Sequence, residues 1–268
     1  MKSGKLSGNI SNTDPAYLRM KGLGLAVTKY EDKIARCTPL DRTKGAKAAA
    51  ELLQEFTEKS HSLLESHPIN ASRKAAGKPP ANAILSRDAG NRLPKFEPVL
   101  SKYGIEFASM VEMPVERGIA LLCGMDLVEM PPPSSDLKAD YANRAAQASE
   151  LLQTYGAVYV HIKGPDEPAH DGDCPGKKKS IEQIDAHFFG NLKVDPSCVV
   201  IAVTADHSTP CTLHSHSDDP VPLMVSGAGI QGDGHRRFGE GVAAKGSLGL
   251  LKGQDVLPKI FGLFSQPK

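Results

Sequence analysis

The chain has 268 residues, 40% hydrophobic and 24% charged, with a formal net charge of +1. That length allows one large domain or two modest ones, and the near-neutral balance offers no electrostatic footprint for nucleic acid or an acidic partner. No apolar run approaches the roughly 20 residues of a membrane span, so neither nucleic acid nor membrane is an expected partner.

The opening "MKSGKLSGNISN" lacks the apolar centre of a secretory leader. Five scattered cysteines form no C-x-x-C pair. Reduced thiols and a cytoplasmic location are expected.

In chain order, the first clear element is a helix over Ala46–Leu64, with Ala49, Leu52, Leu53, Phe56, Leu63 and Leu64 at helical spacing. Pro68, Pro79 and Pro80 then read as stops, and a domain boundary is placed near Pro80, giving units 1–80 and 81–268. Beyond it, short apolar runs alternate with helical segments. "NAILS" and "IEFASMV" read as strands and "VERGIALLCGM" as a short helix. Pro131 to Pro133 impose an extended loop. Ala139–Tyr155 reads as a helix closed by Gly156. "AVYVHI" is a buried strand, Ile181, Ile184, Phe188 and Phe189 mark another helix, and "CVVIAVTA" and "VPLMVS" are two further buried strands. Continuous apolar strands between helices indicate an α/β fold, a mostly parallel sheet covered on both faces.

Seven of the nine histidines lie between His161 and His235. Three stretches concentrate them with aspartates, the first two just after expected strands and the third in the loop leading into "VPLMVS". "HIKGPDEPAHDGD" carries Asp166 and His170, "TADHS" carries Asp206 and His207, and "HSHSDDPVP" carries His214 and His216. Ligands of open α/β sheets gather at the carboxyl ends of strands, so all three stretches are candidates for one site. Mixed carboxylate and imidazole donors suit Zn²⁺ or Mn²⁺ better than all-oxygen ions. Any one stretch alone reads as an ordinary polar loop; in combination they read as metal ligands.

The same stretches, together with "LSGNISNTDP" and "ESHPINASRKAAGKPPANAILSRDAG", resemble the archaeal-type, 2,3-bisphosphoglycerate-independent phosphoglycerate mutases of the alkaline phosphatase superfamily. The resemblance implies an alkaline-phosphatase-like core with a smaller domain closing over substrate, the latter in residues 1–80. It implies two divalent ions, Mn²⁺ or Zn²⁺ with Mg²⁺ as the alternative. Asp166, His170 and His216 would share one and Asp206 and His207 would bind the other. His216 fits the family's spacing to Val221 and Pro222, which leaves His214 outside the ligand set.

The implied reaction interconverts 3-phosphoglycerate and 2-phosphoglycerate in glycolysis and gluconeogenesis through a phosphoserine. In the family that serine and a further metal-binding aspartate lie near the start of the protein, whereas this chain opens on a segment that is internal there. No catalytic nucleophile is therefore assigned, and Ser135 reads as a loop or cap residue. A missing N-terminal chain or a second copy of this one is the expected partner. The alternatives are an inactive metal-binding fragment, a subunit of a split enzyme, or a phosphate-ester hydrolase. Arg87, Arg92 and Lys163 are the candidates for holding the phosphate and carboxylate of a phosphoglycerate. "GKKKS" at residues 176–180 lacks the spacing of a phosphate-binding loop.

Overall fold

A computed structural model of the chain describes residues 6–20, 23–27 and 29–264. It divides into two compact units, Met1–Pro94 and Lys95–Lys268.

The first unit contains a hairpin that the sequence reading did not anticipate, β1 (Tyr17–Met20) paired antiparallel with β2 (Leu23–Ala26). Helix α1 (Lys44–Glu65) begins at Thr43, whose side chain accepts from the Ala46 amide and so satisfies one of the free donors of the first turn. Its small face, Ala49 and Ala50, packs against Ile10 and Cys37. Pro68 starts helix α2 (Pro68–Ala75) instead of only stopping α1. A proline at the first helical position lacks only an N–H that would have no helical partner anyway. The "NAILS" stretch forms no strand. Its last residue is committed elsewhere: the Ser86 amide donates to Thr13 Oγ1, and the Ser86 carbonyl accepts from the Thr13 amide. The Asp88 amide donates to Asn12 Oδ1. These bonds hold Ser86 and Asp88, beyond the Pro80 boundary suggested by the prolines, to the first unit, which ends at Pro94.

The second unit opens with α3 (Val99–Tyr103), β3 (Phe107–Met110), α4 (Pro114–Leu122), β4 (Asp126–Leu127), α5 (Leu137–Leu151) and β5 (Ala157–Val160). β3 is the centre of a parallel sheet ordered β4-β3-β5. All four of its residues are buried, as a strand covered on both faces requires. Asp136 caps α5 by accepting from the amides of Lys138 and Ala139. Tyr141 and Ala145 of that helix form a core cluster with Phe188.

There follow α6 (Asp166–His170), α7 (Cys174–His187), β6 (Val200–Val203), β7 (Met224–Gly227), α8 (Glu240–Ala243) and α9 (Gly253–Phe264). Phe261 of α9 stacks on Tyr103, with ring centroids 4.3 Å apart. β6 and β7 were expected as members of the parallel sheet but pair antiparallel as a separate ribbon. The link between them contains no helix, and a parallel return normally needs a crossover of that kind. β5, β6 and β7 are half-buried instead of fully buried. Among the described residues β5 pairs only with β3, and β6 only with β7. No helix among the described residues is long and apolar enough to cross a membrane.

Candidate metal centre

The site is built on the segments that leave β5 and β6. After β5 the chain turns through Gly164 into α6, a single helical turn anchored by the fully buried Ala169. Asp166 and His170 are its first and last residues. A four-residue spacing puts both on one helix face, and His170 Nε2 lies 3.5 Å from Asp166 Oδ1.

After β6 comes Asp206-His207, then a loop closed by a backbone bridge in which the Ser217 amide donates to the Ser208 carbonyl. That bridge brings His207 and His216 side by side, with ring centroids 3.7 Å apart and planes 28° off parallel. His216 Nε2 is 3.7 Å from Asp166 Oδ1, and His207 Nε2 is 3.4 Å from Asp206 Oδ2. Asp166, His207 and His216 offer donor atoms within 4.8 Å of one another. Pairwise contacts link His170 to Asp166 and Asp206 to His207, but neither His170 nor Asp206 belongs to the mutually close group.

The partners of these side chains define their protonation. His170 Nδ1 is 3.0 Å from the His214 carbonyl, an acceptor only, so Nδ1 carries a proton and Nε2 is turned toward Asp166. His214 returns the contact, its Nδ1 donating to the His170 carbonyl at 3.0 Å. Its backbone is left-handed there, φ 52°. Thr209 donates its hydroxyl to Asp166 Oδ1 at 2.7 Å and accepts from His207 Nδ1 at 3.1 Å. That relay puts a proton on Nδ1 and turns Nε2 of His207 toward Asp206.

The Nε2 atoms of His170 and His207 thus face carboxylate oxygens, an arrangement of donors that a shared cation would bridge. Burial pushes the Asp166 carboxyl up, but the Thr209 hydroxyl and the imidazoles of His170, His207 and His216 outweigh it and hold the carboxyl below its ordinary value. Burial, then the neighbouring His207, pushes His216 down. An ionised carboxylate and neutral imidazoles are the forms that bind metal. The donor set fits a divalent metal ion.

The three anion-binding candidates are placed differently. Arg87, in the first unit, is exposed and holds its guanidinium 3.9 Å over the Tyr17 ring. Arg92 is exposed in the same unit. Lys163 belongs to the second unit, with its ammonium 3.7 Å from Glu116 Oε1. Sequence reasoning missed Thr209, although it stands inside "DHSTP", because a hydroxyl that orients two ligands has no spacing signature. It also missed Glu116 of α4, which contacts both His161 and Lys163.

A model of the Metalloenzyme superfamily matches residues 5–260. The chain belongs to that superfamily. It is 43% identical to the 2,3-bisphosphoglycerate-independent phosphoglycerate mutase of Aeropyrum pernix, an alignment covering 98% of this chain and 63% of that one. A solved protein of Pyrococcus horikoshii matches with a TM-score of 0.66 and 35% identity, covering 84% of this chain and 59% of that one. The solved cofactor-independent phosphoglycerate mutase of Thermoplasma acidophilum matches with a TM-score of 0.50 and 25% identity, over 98% and 61%. The chain thus spans about three-fifths of the length of these relatives.

Proposed function

We propose that the chain supplies the ion-binding part of a 2,3-bisphosphoglycerate-independent phosphoglycerate mutase, an isomerase interconverting 3- and 2-phosphoglycerate in cytoplasmic glycolysis and gluconeogenesis. The observation that carries the proposal is the meeting of Asp166, His207 and His216 in a chain similar throughout to proteins bearing that name. Asp166, His170 and His216 hold one ion, and Asp206 and His207 the other. Mn²⁺ or Zn²⁺ fits these donors better than Mg²⁺, which prefers oxygen ligands. When bound, the ions supply positive charge to the attacking and leaving oxygens of a transferring phosphoryl group.

The chain's own groups set that chemistry up. The His214 carbonyl and Thr209 fix the ring orientations of His170 and His207. Lys163, half-exposed beside Glu116, adds a cation that can neutralise phosphate. Arg87 and Arg92 present forked donors suited to phosphate or carboxylate. The first unit is the proposed substrate-closing domain, and exclusion of water there would protect a phosphorylated side chain from hydrolysis.

Because the chain spans 63% of the relative's length, the nucleophile is assigned to residues that a further segment contributes. The test is a mutase assay of this chain with and without a separately supplied segment corresponding to the unmatched part of the relative. Formation of 2-phosphoglycerate on mixing, abolished by Asp166→Asn, is the expected result. Release of inorganic phosphate alone would select a hydrolase. No turnover with ions bound and the segment present would reduce the chain to a metal-binding subunit.

A further inference from the structure

Cys174 opens α7, and Cys211 lies in the loop that follows β6. Neither belongs to the ligand candidates. Two contacts lay these segments side by side in opposite directions. At one end the His214 ring lies against Gly172, where a Cβ would meet its Cε1 at 2.2 Å. At the other, Lys177 Nζ donates to the Thr209 carbonyl at 2.8 Å. Cys174 falls between Gly172 and Lys177, and Cys211 between Thr209 and His214, so the two cysteines face each other across the paired segments. Their thiols are in hydrogen-bond contact, and both are free. Cys174 is exposed and Cys211 half-buried, so a reagent in solution reaches Cys174 first. The hydrogen bond to Cys211 is the main cause holding the Cys174 thiol above its ordinary value, and thiol exchange there should quicken as pH rises.

We propose that Cys174 and Cys211 are a redox-responsive pair, closed to a disulfide by a small-molecule disulfide such as oxidised glutathione. The Cys174 thiolate attacks one sulfur of that reagent, forms a mixed disulfide and expels one small thiolate. The Cys211 thiolate then attacks the Cys174 sulfur, forms the Cys174–Cys211 bond and expels the second. The protons of the two protein thiols end on the two small thiols, and the two electrons the protein gives up reduce the S–S bond of the reagent. The ring closed in this way contains α7, β6, Asp206 and His207, and it restricts the unfolded chain. It clamps the start of α7 to a loop whose Thr209 hydroxyl holds Asp166 and whose His214 carbonyl holds His170. Disulfides of reducing compartments are usually transient and serve sensing or catalysis, so the pair ties the rigidity of this loop to the thiol–disulfide balance around it. The inference makes no use of a bound ion.

The test incubates the full ion-free chain with oxidised glutathione, then alkylates it and maps it by mass spectrometry. A linked pair of peptides carrying Cys174 and Cys211, fully reversed by dithiothreitol, is the expected result. Cys211→Ser should stop at a glutathione adduct on Cys174, as the exposed Cys198 should in the unaltered chain. The oxidised chain should melt about 5–15 °C above the reduced one, and Cys211→Ser should show no such rise. If Cys211→Ser fails to fold by circular dichroism, Cys174→Ser takes its place and should show neither the link nor the rise. Glutathione adducts on Cys174 that never resolve to the link, or a link that leaves the melting temperature unchanged, would overturn the inference. Because no readout involves a metal, either result leaves the ion-binding reading to its own test.

Discussion

Thr209 donates its hydroxyl to Asp166 Oδ1 across 2.7 Å, although the two stand 43 residues apart. The bond joins the α6 turn to the loop after β6, and the buried Thr209 is further tied down by Lys177, whose ammonium donates to its carbonyl at 2.8 Å. Thr209→Val keeps the shape and removes the donor. It should destabilise the ion-free chain by about 1–3 kcal/mol, as expected when a charged acceptor loses a partner. Ion affinity should fall by about 10–100-fold. Thr209→Ser should restore most of both. Thermal melts and metal titration of the two variants check this, and equal behaviour of Val and Ser would count against the relay.

Gly172 sits at φ +74°, and a Cβ built there would lie 2.2 Å from Cε1 of the His214 ring. Gly172→Ala must therefore shift His214, whose carbonyl holds His170 Nδ1. Backbone strain alone should cost about 1–2 kcal/mol. The informative readout is a loss of affinity for the ion at Asp166 and His170 while the ion at Asp206 keeps its affinity. Equal weakening of both would mean that the variant disturbs the unit as a whole.

Arg144 is buried on α5 and pairs with Glu112, while its other nitrogen holds the His161 carbonyl. Removing one member of such a pair strands a charge with little solvent. Arg144→Met should cost about 3–5 kcal/mol, measured by urea unfolding of the ion-free chain. Adding Glu112→Gln to that variant should recover part of the loss, because the uncompensated carboxylate goes with it. A cost under about 1 kcal/mol for the single variant would show that the pair contributes only as a surface contact does.

Acid should act through His216 first. Its folded-state value lies below its ordinary 6.5, so as pH falls below 6.5 the unfolded chain takes up a proton before the folded one does. Stability is therefore lost progressively over that interval. Asp166, held below its ordinary 3.8, contributes stability above that value and loses it as pH drops further. Between pH 7.5 and 5, the urea midpoint of the ion-free chain should decline more steeply than that of His216→Asn. Parallel declines would remove His216 as a cause. Bound ions should dissociate in the same range, since protons compete for the imidazoles.

The sequence carried the positions of Asp166, His170, Asp206 and His207 after the strands β5 and β6, and of His216 in the loop leading to β7, because strand and turn signals are local. α1 and α5 were legible for the same reason, from helical spacing of apolar residues. The features that were not legible depend on partners distant in the chain. "NAILS" has the composition of a strand, but Thr13 occupies the Ser86 backbone groups. β7 reads as a parallel core strand until the absence of a crossover helix decides its direction. Pro68 reads as a breaker, while His67 makes it a helix start. In the site itself, the Ser208–Ser217 bridge that sets His207 against His216 is a backbone contact, and no side-chain motif announces it.

Diffraction from crystals of this chain grown with Mn²⁺, with anomalous differences collected to locate the metal, tests the central claim most directly. Two peaks about 3.5–4 Å apart are expected, one contacted by Asp166, His170 and His216 and the other by Asp206 and His207. Peaks lying elsewhere, or none beside these five side chains at saturating Mn²⁺, would contradict it.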